Sequence, residues 1–249
     1  MGSSIVIANA SIIFSAYSQS DWFGKFIFLG LFTLSVICWV VLVHKARQTK
    51  QIKQVAYAFE KAFEKNKERL LSISLEDMPK PTRENALHPF GAIFSSVKLK
   101  TLEVLKKNHY FVSKNPEKSE VYLSQEDLNL IESHVLTTIS SQVKQIEKNL
   151  FLLSTIITLA PFLGLLGTVW GILITFSGLQ SGASMASNSM ILGGLSTALS
   201  TTVLGLLIAI PALVSYNYFK SSLKHLSSDM EDFLYQLLST IELQYRKPL

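Results

Sequence analysis

The chain has 249 residues, 48% hydrophobic and 16% charged, with a formal net charge of +5. That balance fits a membrane protein with a substantial aqueous part, and the only cysteine, Cys38, excludes an intramolecular disulfide. The pI near 9.2 does not point to nucleic acid, because the basic residues flank apolar segments and so act as determinants of membrane topology.

Residues 1–20 carry no charged side chain, and their apolar clusters at 5–8 and 12–14 are too short to span a bilayer. A membrane-surface or partly buried helix is expected there. No Lys or Arg precedes Lys25, so the basic start of a secretory signal peptide is missing. The uncharged run 26–43 has spanning length, with Trp22 and Trp39 towards its ends where interfacial aromatics anchor a helix. It is the first expected transmembrane helix.

His44, Lys45, Arg47, Lys50 and Lys53 follow at once. Residues 44–72 should extend the helix, with Val55, Phe59, Phe63 and Leu70 along one side. The segment 74–85 contains two prolines and breaks it. A further helix is expected over about 89–110, and 113–120 is again polar and contains proline. Ser124 with Asp127 three residues on forms a helix-start signature, in which hydroxyl and carboxylate satisfy free backbone donors. Leu128, Ile131, Val135, Ile139, Val143, Ile146 and Leu150 then recur at steps of three or four. No Pro or Gly intervenes, so one helix is expected from Ser124 to Phe176, about 80 Å long at roughly 1.5 Å per residue.

From Asn149 to Phe219 there is no Asp, Glu, Lys, Arg or His. Two spanning runs, 150–176 and 191–216, flank the uncharged polar patch 177–190 and give a transmembrane hairpin. Lys144 and Lys148 precede it, and Lys220 and Lys224 follow it. Positive charge beside a span marks the cytoplasmic side. The expected architecture is therefore an all-α membrane protein with three transmembrane helices and long cytoplasmic helical extensions, N-terminus out and C-terminus in. Its expected segments are a short periplasmic piece 1–25, a first span 26–43 and a cytoplasmic helical domain 44–149. A second span 150–176, a periplasmic loop 177–190, a third span 191–216 and a cytoplasmic C-terminal helix 217–249 complete it. Along that last helix, Leu223, Leu226, Met230, Phe233, Leu237 and Ile241 form a stripe suited to a bundle or oligomer seam.

Enzymatic chemistry finds little support. His44, His88, His109, His134 and His225 are scattered without metal-site spacing, and there is no cysteine cluster or phosphate-cradling loop. No metal or cofactor is expected. The membrane pattern is more telling. Gly164, Gly167 and Gly171 share one face of the second span, and Gly194, Ala198, Thr201, Gly205, Ala209 and Ala212 share one of the third. Small residues let helix backbones approach closely in lipid. Pro161 and Pro211 mark a kink in each span. Ser196, Thr197, Ser200, Thr201 and Thr202 are dense for packing alone. A lone Thr commonly bonds its own helix carbonyl, whereas this group either does so or lines a hydrated path or binds a polar group of a partner.

At APFLGLLGTVWGI (160–172) and GLSTALSTTVLGLLIAIPALVSYN (194–217) the chain resembles the TolQ/ExbB/MotA family of proton-channel subunits. The first span, ending SVICWVVLVHK (35–45), and the topology also fit, and the short N-terminus and length resemble TolQ or ExbB more than MotA. The resemblance implies a bacterial inner-membrane homopentamer around a TolR/ExbD-like single-span dimer, acting indirectly through a TonB- or TolA-like protein. In such a system a membrane Asp of the partner takes up protons and lets the inner dimer turn. Burying a charge in lipid is costly, so gating motion by protonating it is physically sensible. Many TolQ and ExbB sequences carry a Glu in the third span where this chain has Thr197, and a second-span Thr where it has Leu159, with Thr158 one place earlier. The third-span Thr is retained as Thr202. The proton path or partner-Asp contact then falls to Thr197, Thr201, Thr202, Ser200 and Thr158, and the only titratable membrane group must come from the partner. A non-conducting membrane scaffold that oligomerises through the Gly/Ala faces is the alternative. The lipid bilayer is a partner in either case and nucleic acid in neither; basic flanks could also attract anionic headgroups.

Overall fold

The computed structural model describes residues 14–18, 20–65, 87–113, 122–180 and 187–245. The described residues contain helix and no strand. After a helical turn at 14–18 come α1 (Trp22–Lys65), α2 (Pro89–Ser113), α3 (Gln125–Glu147), α4 (Leu150–Gln180) and α5 (Ser187–Tyr245). Among the described residues three helices, α1, α4 and α5, are long and apolar enough to cross a membrane. The expected breaks at 74–85 and 114–120, the core of the polar patch at 181–186, and Leu70 lie outside the described residues.

The chain divides into two compact units. One comprises Met1–His44 with Asn149–Tyr218, the other Lys45–Lys148 with Phe219–Leu249. In the first, the membrane unit, α1 starts at an acid cap: Asp21 Oδ1 accepts from the Gly24 N–H at 3.0 Å. Its Oδ2 accepts from Trp170 Nε1 of α4 at 2.9 Å, and the Phe23 ring lies 4.4 Å from that of Trp170. Cys38 is buried in α1 at 3% exposure. Many large apolar side chains here face outward, among them Phe26, Phe32, Phe162, Leu199 and Ile210, which lipid accepts as readily as a protein interior does.

The second, charged unit has an aqueous-type core. Phe59 and Phe63 of α1, Phe90 and Phe94 of α2 and Phe233 of α5 are buried, and their rings meet at centroid distances of 5.3–6.0 Å. The expected stripe of α5 is buried at Leu223, Leu226, Met230, Phe233, Leu237 and Ile241. In α3, Leu128, Ile131, Val135, Ile139 and Ile146 are buried, while Val143 is half-buried. The signature at Ser124 forms a complete capping box: the Ser124 hydroxyl accepts from the Asp127 N–H at 3.1 Å, and the Asp127 carboxylate accepts from the Ser124 N–H at 3.0 Å. Asn108 Nδ2 adds a bond to the same carboxylate at 2.9 Å. Burial raises the Asp127 pKa, but the Ser124 N–H, the Asn108 amide, the Ser124 hydroxyl and nearby Lys107 outweigh it, and the carboxyl titrates below its ordinary value.

One expectation is corrected. The helix from Ser124 does not run unbroken into the second span: α3 ends at Glu147, and Asn149 has a φ of 75° before α4 begins at Leu150. Asn enters the left-handed region at little cost because its short polar side chain bonds locally, so neither Gly nor Pro was needed to stop the helix.

Candidate functional site: the seam of the second and third spans

The buried face of α4 is made of Ala160, Gly164, Gly167 and Gly171, with Leu153 and Ile156 towards its start. It lies against Ala198, Thr201, Gly205 and Gly194 of α5. A Cβ at Gly164 would sit 2.9 Å from the Thr201 carbonyl oxygen and 3.0 Å from Thr202 Cα. One at Gly171 would sit 2.8 Å from the Ala198 methyl. Gly167 faces the Thr201 side chain, Gly194 faces Thr175, and Gly205 lies on the Ala160 carbonyl. The absent side chains are what let these backbones approach.

Close approach brings hydroxyls to carbonyls. Thr202 Oγ1 donates to the Gly164 carbonyl at 3.1 Å. Thr201 Oγ1, 1% exposed, has that carbonyl at 3.3 Å and the Ala198 carbonyl of its own helix at 2.7 Å. Thr175 Oγ1 donates to the Gly171 carbonyl at 2.7 Å. Pro161 and Pro211 lie inside α4 and α5, where each withholds the backbone N–H that a residue four positions earlier would have received.

The hydroxyl group singled out in the sequence is thus distributed. Thr201 and Thr202 converge on Gly164 across the seam. Ser200 is half-buried in the next position of α5. Thr197 is 8% exposed and donates to Gly193 O at 2.9 Å and to Ala16 O at 3.1 Å. Thr158 is exposed on α4 and bonds only within its helix, to Thr155 O at 3.0 Å and Ser154 O at 3.4 Å. Asp21 and Ala16 were not among the expected site residues. Asp21 carried a signal, as an acid three residues before a glycine at the start of an apolar helix. Ala16 carried none. Chemically the seam offers donors and acceptors and no titratable group: a threonine hydroxyl relays or orients a proton but does not store one.

These features define a class: a multi-span helical membrane protein whose second and third spans are joined through glycines and hydroxyl-to-carbonyl bonds. Within that class, residues 105–232, just over half of the chain, match the MotA/TolQ/ExbB proton channel family, and the chain belongs to it. It is similar to the Tol-Pal system protein TolQ of Haemophilus influenzae, at 27% identity over 221 residues, 86% of this chain and 86% of that protein. It is also similar to the biopolymer transport protein ExbB of Pseudomonas putida, at 26% identity over 222 residues, 89% of this chain and 61% of that one. The biopolymer transport protein ExbB of Aquifex aeolicus is 38% identical over 88 residues, 35% of this chain and 59% of that protein. The matches thus span less than two thirds of either ExbB protein. The chain is a multi-pass protein of the bacterial inner membrane.

Proposed function

We propose that this chain is a proton-motive-force-coupled motor subunit that energises cell-envelope transport or outer-membrane maintenance. In this reading its spans are 26–43, 150–176 and 191–216, with the N-terminus outside and the charged unit in the cytoplasm, and the basic residues beside the spans support that orientation. Copies of it, five by the family resemblance, surround the single-span helices of a TolR/ExbD-like partner, which reaches the envelope through a TonB- or TolA-like protein. The observation that carries the reading is the pair of hydroxyls, Thr201 and Thr202, converging on the Gly164 carbonyl in a hairpin with no acid or base from Asn149 to Phe219. Their protons are given to carbonyls of the seam, and a hydroxyl does not store a proton, so this hairpin cannot itself be the proton-binding group. The proton is therefore bound by a partner carboxylate, against which Thr202, Ser200 and Thr158 supply polar contacts.

The test is proton flux into liposomes holding the chain with its co-purified single-span partner. Flux should depend on an intramembrane Asp of that partner and vanish on Asp→Asn, and Thr202→Val should weaken it while the complex still assembles. Flux that survives both changes sinks the mechanism. A complex that assembles and never conducts is the scaffold, for which the glycine seam alone would suffice.

A further inference from the structure

We propose that Thr197 anchors an N-terminal docking element: the helical turn at 14–18 is seated on the third span through the Ala16 carbonyl, which takes Thr197 out of any proton path. Ala16 lies among the last four residues of the helical turn at 14–18, whose carbonyls helix bonding does not reach. Two hydroxyls do so instead. Ala16 O accepts from Ser20 Oγ at 2.6 Å and from Thr197 Oγ1, 181 positions away, at 3.1 Å. A carbonyl oxygen has two lone pairs, and both are used here. The junction is closed to solvent, with Ala16 at 2%, Ser20 at 8% and Thr197 at 8% exposure. The turn is held a second time by Tyr17, whose ring meets that of Phe28 in α1 edge-on at 5.9 Å, and whose carbonyl accepts from the Ser20 N–H at 3.2 Å.

The geometry also says what cannot stand at 197. The hydroxyl there has one proton and two acceptors within reach, the Ala16 and Gly193 carbonyls. An ionised carboxylate is acceptor-only, so it would face two carbonyl oxygens with nothing to donate. It is also larger than threonine in a site already closed by Ala16. A docked turn and an ionised glutamate at 197 are alternatives. Thr197 is then a positioning residue, and the N-terminal turn occupies the side of α5 on which an acid at this position would act.

Amide hydrogen exchange of the full-length chain with its partner, read by mass spectrometry over residues 14–20, tests this. Thr197→Ser keeps the donor and should leave exchange at the wild-type rate. Thr197→Val should raise it about fivefold, the factor for one net hydrogen bond, and Thr197→Glu by more. Ser20→Ala, which leaves α5 untouched, should also raise it, and Thr202→Val should not. Equal exchange in wild type, Thr197→Val and Ser20→Ala overturns the proposal. So does a loss of proton flux in Thr197→Val with exchange over 14–20 unchanged, since that would mark Thr197 as a path residue. If Thr197→Val disturbs exchange throughout α5, the contrast between Ser20→Ala and Thr197→Ser decides. The exchange readout does not depend on the motor reading: a wild-type complex without flux refutes that reading and leaves this test standing.

Discussion

The two units of this chain solve the same packing problem with opposite materials. The charged unit fills its core with the largest side chains it has, Phe59, Phe63, Phe94 and Phe233, together with Ile131, Leu234 and Leu237. Removing that area from water drives the packing. In the membrane unit the large side chains point outward, and the contact between α4 and α5 is made of Gly164, Gly167, Gly171, Ala198 and Thr201. Lipid offers no gain for burying a leucine against another leucine, so backbone proximity and hydroxyl-to-carbonyl bonds take its place. The same residue types therefore carry opposite meanings on the two sides of His44 and Tyr218.

The comparison is broken most severely in the aromatic cluster. Phe233→Ala leaves a cavity among Phe59, Phe63 and Phe90, and should destabilise the charged unit by about 3–5 kcal/mol in detergent-solubilised denaturation. The converse change belongs to the seam. Gly164→Val drives methyls into the Thr201 carbonyl and Thr202 Cα, backbone atoms that cannot turn aside, at an expected cost of about 1–3 kcal/mol and with loss of assembled complex on gel filtration. Gly30→Ala is its control, because the nearest atom a methyl would meet there is Leu163 Cδ1 at 3.8 Å. Assembly in that variant should be unchanged.

Smaller effects sharpen the contrast. Ser124→Ala removes half of the capping box and should weaken α3 by about 1 kcal/mol. The pH dependence has a definite sign. Since the Asp127 carboxyl is held below its ordinary value of 3.8, its stabilisation is present above that pH and fades as the pH falls through the lowered value. Melting curves should show the difference between wild type and Ser124→Ala shrinking below about pH 4. Thr202→Val should be the mildest for stability, about 0.6 kcal/mol as for other hydrogen bonds between membrane helices. A larger loss of proton flux than of assembly would place the role of Thr202 in conduction.

Much of this was legible in the chain, and the rest was hidden for identifiable reasons. Spans declare themselves by missing charge, and the cap at Ser124 by two residues at fixed spacing, because both signals are local. The glycine face of α4 follows from helical periodicity. The stop at Asn149 left only a weak trace: Asn is second to Gly as a left-handed helix terminator, and the apolar steps that continue through Ile146 to Leu150 hide it. The distribution of the hydroxyls was not legible. Thr197 and Thr202 are five positions apart on one helix, yet one bonds Ala16 and the other Gly164. Periodicity places a residue on a face but does not say which distant segment meets that face.

The concealed sulfur of Cys38 has a practical consequence. A chain whose single thiol is shut inside α1 is its own blank for labelling with a membrane-impermeant maleimide. A cysteine introduced at exposed Trp22 or exposed Lys224 would then be the one that reacts. Intact cells and opened vesicles would sort the two, and each helix end would be assigned to a side of the bilayer without removing anything from the native sequence.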